Sequence, residues 1–284
     1  MAPVPAPIRY DRTFKAPPGV AVTLTPLVTR VLAPNPGPFT FRGTGVYLVG
    51  TGDSLAVIDP GPLMDAHMAA LRACIGGRRV SHILVTHTHR DHCEAANALK
   101  ALTGARTYGF GPQAAATTGE EADDMDFVPD VRLADGDVIT GDGFTLTALH
   151  TPGHAANHLC FALEQGRALF TGDHVMGWSS SVIAPPDGDM GAYLASLRRL
   201  IARDDDILYP THGASVREPR AYMTALLEHR LAREAQVAQA LARGVTDIPA
   251  LVDAIYPGLD PVLRPAAALT IAAHVAKLER DGPG

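Results

Sequence analysis

Four side chains able to bind a metal ion fall within six residues, His87-x-His89-x-Asp91-His92, directly after the apolar run Ile83 to Val85. A strand ending there delivers them into the loop before the next helix, where they can converge. Three further candidates stand in turns beside other expected strands: His154 in Thr151-Pro152-Gly153-His154, Asp173 in Thr171-Gly172-Asp173, and His212 in Pro210-Thr211-His212-Gly213. Histidine is the commonest metal ligand. Imidazole and carboxylate donors suit zinc, with Mn(II) or Fe(II) compatible, and no thiolate falls on a motif position to favour a softer metal. The competing reading of the segment is a surface cluster of histidines that holds no ion.

Other titratable residues fit the pattern less well. His158 begins a strand four residues after His154, so a structural hydrogen bond is expected rather than a ligand role. His67, His82, His150, His174, His229 and His274 lack ligand spacing. Cys93 follows His92, but the next helix turns it away into packing.

The elements that must position these groups alternate between strand and helix, which indicates an α/β layered domain. Val20 to Ala33 reads as one strand ending in the rigid loop Pro34-Asn35-Pro36-Gly37-Pro38. Val46 to Val49 and Leu55 to Ile58 form a hairpin around Gly50-Thr51-Gly52-Asp53. Helices are expected at Met64 to Ile75, Cys93 to Leu102 and Met190 to Ala202. Strands are expected near Thr107 and at Val138 to Ile139, Thr145 to Leu149, His158 to Leu163, Ala168 to Thr171 and Ile207 to Tyr209. From Glu218 to Arg243 the spacing of Tyr222, Leu226, Leu227, Leu231, Val237 and Leu241 fits one long amphipathic helix stopped by Gly244. Helices near Ile248 to Ile255 and Pro265 to Leu278 follow. Three units result: an extended proline-rich arm over 1–19, a catalytic domain over 20–217 and a helical module over 218–284.

Composition narrows the function. The chain has 284 residues, 46% of them hydrophobic and 19% charged, enough for a real core. Its formal net charge of −6 offers no general field for a phosphate polymer. Three cysteines without paired spacing build no disulfide framework and suit a reducing compartment. The prolines of the N-terminal segment are unlike a signal peptide, and no stretch approaches the 18 or so apolar residues of a membrane span, so the expected location is cytoplasmic, with no membrane contact.

With the motif His87 to His92 followed in order by His154, Asp173 and His212, the sequence resembles the metallo-β-lactamase-fold hydrolases. The resemblance implies a four-layer αββα sandwich. It implies that His87, His89 and His154 bind one metal, that Asp91, His92 and His212 bind a second, and that Asp173 bridges them. Two divalent ions about 3.5–4 Å apart can clamp attacking and leaving oxygens and bring the pKa of a shared water toward neutrality. Two zinc ions are the expected cofactors. Asp91 and Asp173 are then the catalytic carboxylates, Asp91 accepting a hydrogen bond from the nucleophilic water. Asp59 resembles the family's aspartate at the end of an early strand and would fix a ligand histidine's tautomer, or it simply opens the turn at Pro60-Gly61.

Asn35-Pro36-Gly37-Pro38, Gly43-Thr44 and Tyr47-Leu48-Val49-Gly50 resemble the signature of the lactamase-B2-like branch. Glu228-His229-Arg230 and the terminal helices resemble that branch's winged-helix-like module, so the likeness runs over roughly residues 20–282. Gly45 and Thr211 depart from the branch, which usually has a polar residue and a glycine there. Trp178 and Ser179-Ser180-Ser181 either line the cleft or form an ordinary loop.

The expected activity is a metal-dependent hydrolase in which a metal-bridging hydroxide attacks a small ester, thioester or lactone, with β-lactam hydrolysis as a side activity. The runner-up is a single-strand RNA endonuclease of the same branch. Against it, residues 218–284 carry seven Lys/Arg and eight Asp/Glu where a nucleic-acid-binding module should be basic, although Arg217, Arg220, Arg230 and Arg233 could form a local patch. A mononuclear iron sulfur oxygenase shares part of the ligand set. A flavin-linked diiron enzyme is opposed by His89, and a non-catalytic binder would keep the fold alone. The apolar face of the long helix is expected to serve as a lid or a homodimer surface.

Overall fold

The computed structural model describes residues 8–112, 124 and 126–282. The first sheet contains β1 (Ala21–Thr23), β2 (Val28–Leu32), β3 (Gly45–Val49), β4 (Ser54–Ile58), β5 (Arg79–Leu84), β6 (Arg106–Gly109) and β7 (Val131–Arg132), paired in that order. The second contains β8 (Val138–Gly141), β9 (Phe144–His150), β10 (Leu159–Leu163), β11 (Ala168–Gly172) and β12 (Ile207–Pro210), again paired in chain order. The helices are α1 (Asp65–Ile75), α2 (Arg90–Cys93), α3 (Ala96–Thr103), α4 (Met190–Ile201), α5 (Pro219–Ala242), α6 (Ile248–Ile255) and α7 (Arg264–Asp281).

The two sheets face each other because their strands are apolar on both sides. Along β3, Tyr47 and Val49 point into the space between the sheets, where they meet Phe161, Phe170 and Tyr209. The alternate residues Val46 and Leu48 point outward against Leu71 and Ile75 of α1 and Leu99 of α3. On the far side, Cys160, Leu169 and Leu208 pack against Tyr193, Leu194 and Leu197 of α4 and Met223 and Leu226 of α5. Side chains alternate with period 2 along a strand, so two doubly covered sheets produce the αββα layering that the sequence implied.

Several local expectations are corrected. Val20 to Ala33 is not one strand: the Thr25 hydroxyl accepts the N–H groups of Leu27 and Val28, at 3.3 and 3.1 Å, and turns the chain so that β1 pairs antiparallel with β2. The expected helix Cys93 to Leu102 is two pieces, and the first begins at Arg90, inside the motif. β5 starts at Arg79 rather than Ile83, and the short β7 carried no pattern. Pro3, Pro5 and Pro7 of the arm lie outside the described residues, but its remainder docks: Ile8 and Tyr10 pack on the α4–α5 cluster, and Asp11 N–H reaches the Gly177 carbonyl at 3.1 Å.

In α5 the buried stripe is Met223, Leu226, Arg230, Val237 and Ala240, while Leu231 is exposed. The helix finds its cover within the chain, from α4 on one side and from α6 and α7 on the other. The basic patch does not form: Arg230 is buried, Arg233 lies over the Tyr256 ring, and only Arg217 and Arg220 are exposed. Among the described residues no helix is long and apolar enough to cross a membrane.

Candidate metal centre

All seven motif residues sit at one edge of the sandwich, on the connections that leave β5, β9, β11 and β12. Strand ends in layered α/β folds are where loops can gather side chains from distant parts of the chain. After β5 the chain bends at Thr86, is extended again at His89, and then enters α2, which presents Asp91 and His92 from its single turn. Two glycines permit the close approaches. A Cβ on Gly153, at φ +144°, would lie 2.3 Å from Tyr193 Cα; one on Gly172, at φ +49°, would lie 2.5 Å from His158 Nε2. Each glycine directly precedes a candidate ligand, His154 or Asp173.

Ligand atoms of His87, His89 and His154 lie within 4.8 Å of one another, as do those of Asp91, His92 and His212. Within the first set, His89 Nδ1 is 2.9 Å from His87 Nε2 and 3.1 Å from His154 Nε2. Asp173 stands between the sets, with Oδ2 at 3.4 Å from His212 Nε2, 3.5 Å from His92 Nε2 and 3.9 Å from His154 Nε2. Asp91 Oδ2 is 3.2 Å from His212 Nε2 and 3.5 Å from His92 Nε2.

Surrounding groups fix which ring nitrogen faces inward. His154 Nδ1 donates to the Val182 carbonyl at 2.7 Å and His212 Nδ1 to the Gly43 carbonyl at 3.2 Å, leaving each Nε2 lone pair aimed at the cluster. His92 Nδ1 donates to Asp59 Oδ2 at 2.8 Å, and its buried Nε2 has no hydrogen-bond partner. Asp59 also accepts the Thr86 N–H at 2.8 Å, the Thr86 hydroxyl at 2.9 Å and the Thr211 hydroxyl at 3.0 Å. It orients a candidate ligand as well as opening a turn. His158 supports the cluster from outside: Nε2 accepts the Asp173 N–H at 3.2 Å, and Nδ1 meets the Thr151 hydroxyl at 2.9 Å.

This donor set suits metal. His89 Nδ1 stands 2.9 and 3.1 Å from the two other imidazole nitrogens, close to the separation of about 3.3 Å that tetrahedral zinc with bonds of about 2.0–2.1 Å sets between its nitrogens. Asp173 Oδ1 is likewise buried without a partner.

The electrostatics divide the cluster. Burial pushes the pKa of His87 well below the ordinary imidazole value, and His92, His89 and His154 push it further. His158 is held down in the same way by burial and by His174 and His154. On the carboxylate side burial opposes charge, but Asp91, Asp173 and Asp59 overcome it and hold His92 well above the usual range. Asp173 and Asp91 raise His212 to about 10 against the same burial. Burial opposes ionisation of Asp91 and Asp173 too, and the adjacent imidazoles more than offset it, keeping both carboxyls well below their usual range. The carboxylate half thus draws positive charge, which a divalent ion can supply in place of protons.

Residue spacing did not reveal several supporting groups. Thr44 donates to Asp91 Oδ2 at 2.9 Å and is itself held by Asn35, whose Oδ1 accepts the Thr44 N–H at 2.9 Å. The Gly43-Thr44 signature was the available signal. The Val182 and Gly43 carbonyls have none, because every residue carries a carbonyl. The two departures from the branch pattern touch each other: Gly45 N–H donates to the Thr211 carbonyl at 2.8 Å, and a Cβ at Gly45 would sit 3.0 Å from that oxygen. Trp178 stacks on Phe41 with centroids 4.8 Å apart, and its backbone packs against Gly213, the residue after His212. Cys93 is buried as expected.

Sandwich and donor cluster together define a hydrolase of the metallo-β-lactamase kind. Residues 40–212 match the metallo-beta-lactamase superfamily, and residues 248–283 match the beta-lactamase associated winged helix domain. The chain belongs to the metallo-beta-lactamase superfamily. It is similar to the lactamase-like protein adaB of Aspergillus niger, 31% identical over 91% of this chain and 82% of that protein. It is also similar to an atrochrysone carboxyl ACP thioesterase of Aspergillus chevalieri, 37% identical over 77% of this chain and 67% of that protein. Among solved structures, a beta-lactamase domain protein from Burkholderia ambifaria covers 97% of this chain and 92% of its own at a TM-score of 0.79 and 21% identity, a likeness of fold.

Proposed function

We propose that this chain is a dinuclear zinc hydrolase that cleaves a thioester of a small acyl group. The observation that carries the reading is the convergence of two three-residue donor sets on Asp173, with ring tautomers fixed so that lone pairs face inward. His87, His89 and His154 would hold one zinc ion, Asp91, His92 and His212 the other, with Asp173 shared. When bound, such a pair supplies Lewis acidity toward a carbonyl oxygen and lowers the pKa of water toward neutrality.

The chain's own groups do the rest. Asp91 is ionised at neutral pH and held by the Thr44 hydroxyl, so its carboxylate can accept a hydrogen bond from an attacking water and orient it. His158 and Ser181 hold the Asp173 backbone through its N–H and carbonyl, which keeps that carboxylate aimed between the sets. The half-buried Phe41–Trp178 pair, packed against Gly213 directly after His212, offers an apolar plate better suited to an acyl chain than to a phosphodiester. Relatives named as ACP thioesterases support the thioester as the scissile group. Residues 20–217 would form the catalytic unit and 218–284 the attached module. Three free cysteines fit a reducing, cytoplasmic setting.

The test is direct. Purified protein is analysed for metal, then offered acyl-CoA and acyl-N-acetylcysteamine thioesters, lactones, a β-lactam and labelled single-stranded RNA, with and without chelator. Thioester cleavage that chelation abolishes and zinc restores is expected. Two bound zinc ions with no thioester turnover, or RNA cleavage alone, would overturn the substrate assignment, and a single iron would overturn the metal assignment.

A further inference from the structure

Helix α5 presents a stripe to the body of the protein in which one position is anomalous. Met223, Leu226, Val237 and Ala240 are apolar, but the largest side chain buried there is Arg230, 2% exposed. Burying a guanidinium is costly unless its charge and donors are satisfied. Among the described residues no carboxylate pairs with it, and Nε has no partner. What it does contact is informative. Nη2 donates to the Ser181 carbonyl, and the guanidinium lies 5.3 Å over the Tyr193 ring.

Ser181 is a junction for the metal centre. Its hydroxyl reaches the Asp173 carbonyl at 2.5 Å and the His174 carbonyl at 3.1 Å. The next carbonyl, Val182, accepts the Nδ1 proton of His154 at 2.7 Å and so fixes the tautomer that turns Nε2 inward. Tyr193, beneath the guanidinium, donates to the His174 carbonyl at 3.1 Å, and its backbone closes on Gly153, next to His154. Arg230 therefore grips the one short segment from which both His154 and Asp173 are set. The residue lies between the two matched family regions, 40–212 and 248–283.

We propose that Arg230 is a positioning residue of the metal centre: by holding the Ser181 carbonyl from α5 it fixes the 181–182 turn that orients His154 and Asp173, so the C-terminal helices complete the site. This rests on the metal-centre reading above. Arginine suits the task because its flat fork can stack on Tyr193 while donating edge-on, which a lysine ammonium cannot do.

The test measures zinc affinity of the full-length protein by competition with a chromophoric chelator, alongside circular dichroism, thermal melting and steady-state kinetics. Arg230→Met and Arg230→Lys are compared with Arg233→Met, which disturbs the same helix at its contacts with Gln236, Ile255 and Tyr256, away from the 181–182 turn. Expected are at least tenfold weaker zinc binding in Arg230→Met, an intermediate loss in Arg230→Lys, and near-wild-type binding in Arg233→Met. With thioester substrate, kcat should fall while KM changes little. A folded Arg230→Met that binds zinc within twofold of wild type, or equal losses in Arg230→Met and Arg233→Met, would overturn the proposal. If Arg230→Met does not fold, Arg230→Lys decides: at least threefold weaker binding is expected, and wild-type affinity overturns it. Wild-type protein that binds no zinc would instead remove the metal-centre reading itself.

Discussion

Replacing Asp59 by asparagine tests how far the centre depends on a residue that acts on the metal only through a ligand histidine. The carboxylate is 1% exposed and accepts four hydrogen bonds: Thr86 N–H on Oδ1, and the Thr86 hydroxyl, the Thr211 hydroxyl and His92 Nδ1–H on Oδ2. An asparagine would keep shape and volume, and the φ of +50° at this position is one that asparagine tolerates. Its NH2, however, must face either Thr86 N–H or His92 Nδ1–H, and each is already a donor. A buried donor left without an acceptor costs about 1–3 kcal/mol. If His92 bears that cost it can shift its proton to Nε2, closing the lone pair it offers the cluster. Since every 1.4 kcal/mol or so is tenfold, zinc affinity should fall about 10- to 100-fold, in the range usual for outer hydrogen-bond partners of metal ligands. Chelator competition reads the affinity, and thermal melting of the metal-stripped protein reads the fold. Wild-type affinity in a folded Asp59→Asn variant would refute the argument that this hydrogen bond sets the His92 tautomer.

Asp173→Asn and His89→Ala should each lower bound metal and abolish turnover with a near-normal circular dichroism spectrum; full activity in either purified variant would count against the ligand assignment. Gly153→Ala should lower the melting temperature and weaken metal binding together, because the new methyl would sit 2.3 Å from Tyr193 Cα, and an unchanged melting curve would contradict that packing. Burial, followed by Arg230, Arg233 and His274, lowers the pKa of His229 to about 4. Its neutral form thus supports the fold in full above the ordinary imidazole value of about 6.5, and that support erodes as pH falls from there toward 4. Melting temperature measured across that window should fall less steeply in His229→Gln than in wild type, and identical slopes would rule the contribution out. Truncation after Arg217 should uncover the apolar cluster that Met223 and Leu226 complete, giving aggregated protein on size-exclusion chromatography; a soluble, active truncate would show that α5 is dispensable.

Much of the architecture was legible because burial on both faces leaves a local imprint. Val46 to Val49, Leu55 to Ile58 and Ala168 to Thr171 are short β-branched or apolar runs closed by turn residues, and each is a strand. The helix Ile248–Ile255 is bounded as its apolar spacing suggests. Where the expectation erred, a side chain overrode propensity: the Thr25 hydroxyl captured two backbone N–H groups and bent an otherwise continuous β-rich run. The seven candidate ligands were nameable from residue type, spacing and turn position, since donor atoms are a property of the side chain itself.

Position in space was not nameable in that way. Leu231 fits the apolar period of α5 yet is exposed, while Arg230 breaks it and is buried, because the loop after Asp173 offers that position a carbonyl and α4 offers it the Tyr193 ring. The chain alone determined which chemistry was available: imidazole and carboxylate donors, in order, at strand ends. Only the folded molecule decided which nitrogen of each ring faces the cluster, since that depends on carbonyls at Gly43 and Val182 and a carboxylate at Asp59, 169, 28 and 33 residues away from their histidines. Hydrogen bonds across such separations depend on how the sheets and loops pack, and no local pattern of residues encodes them.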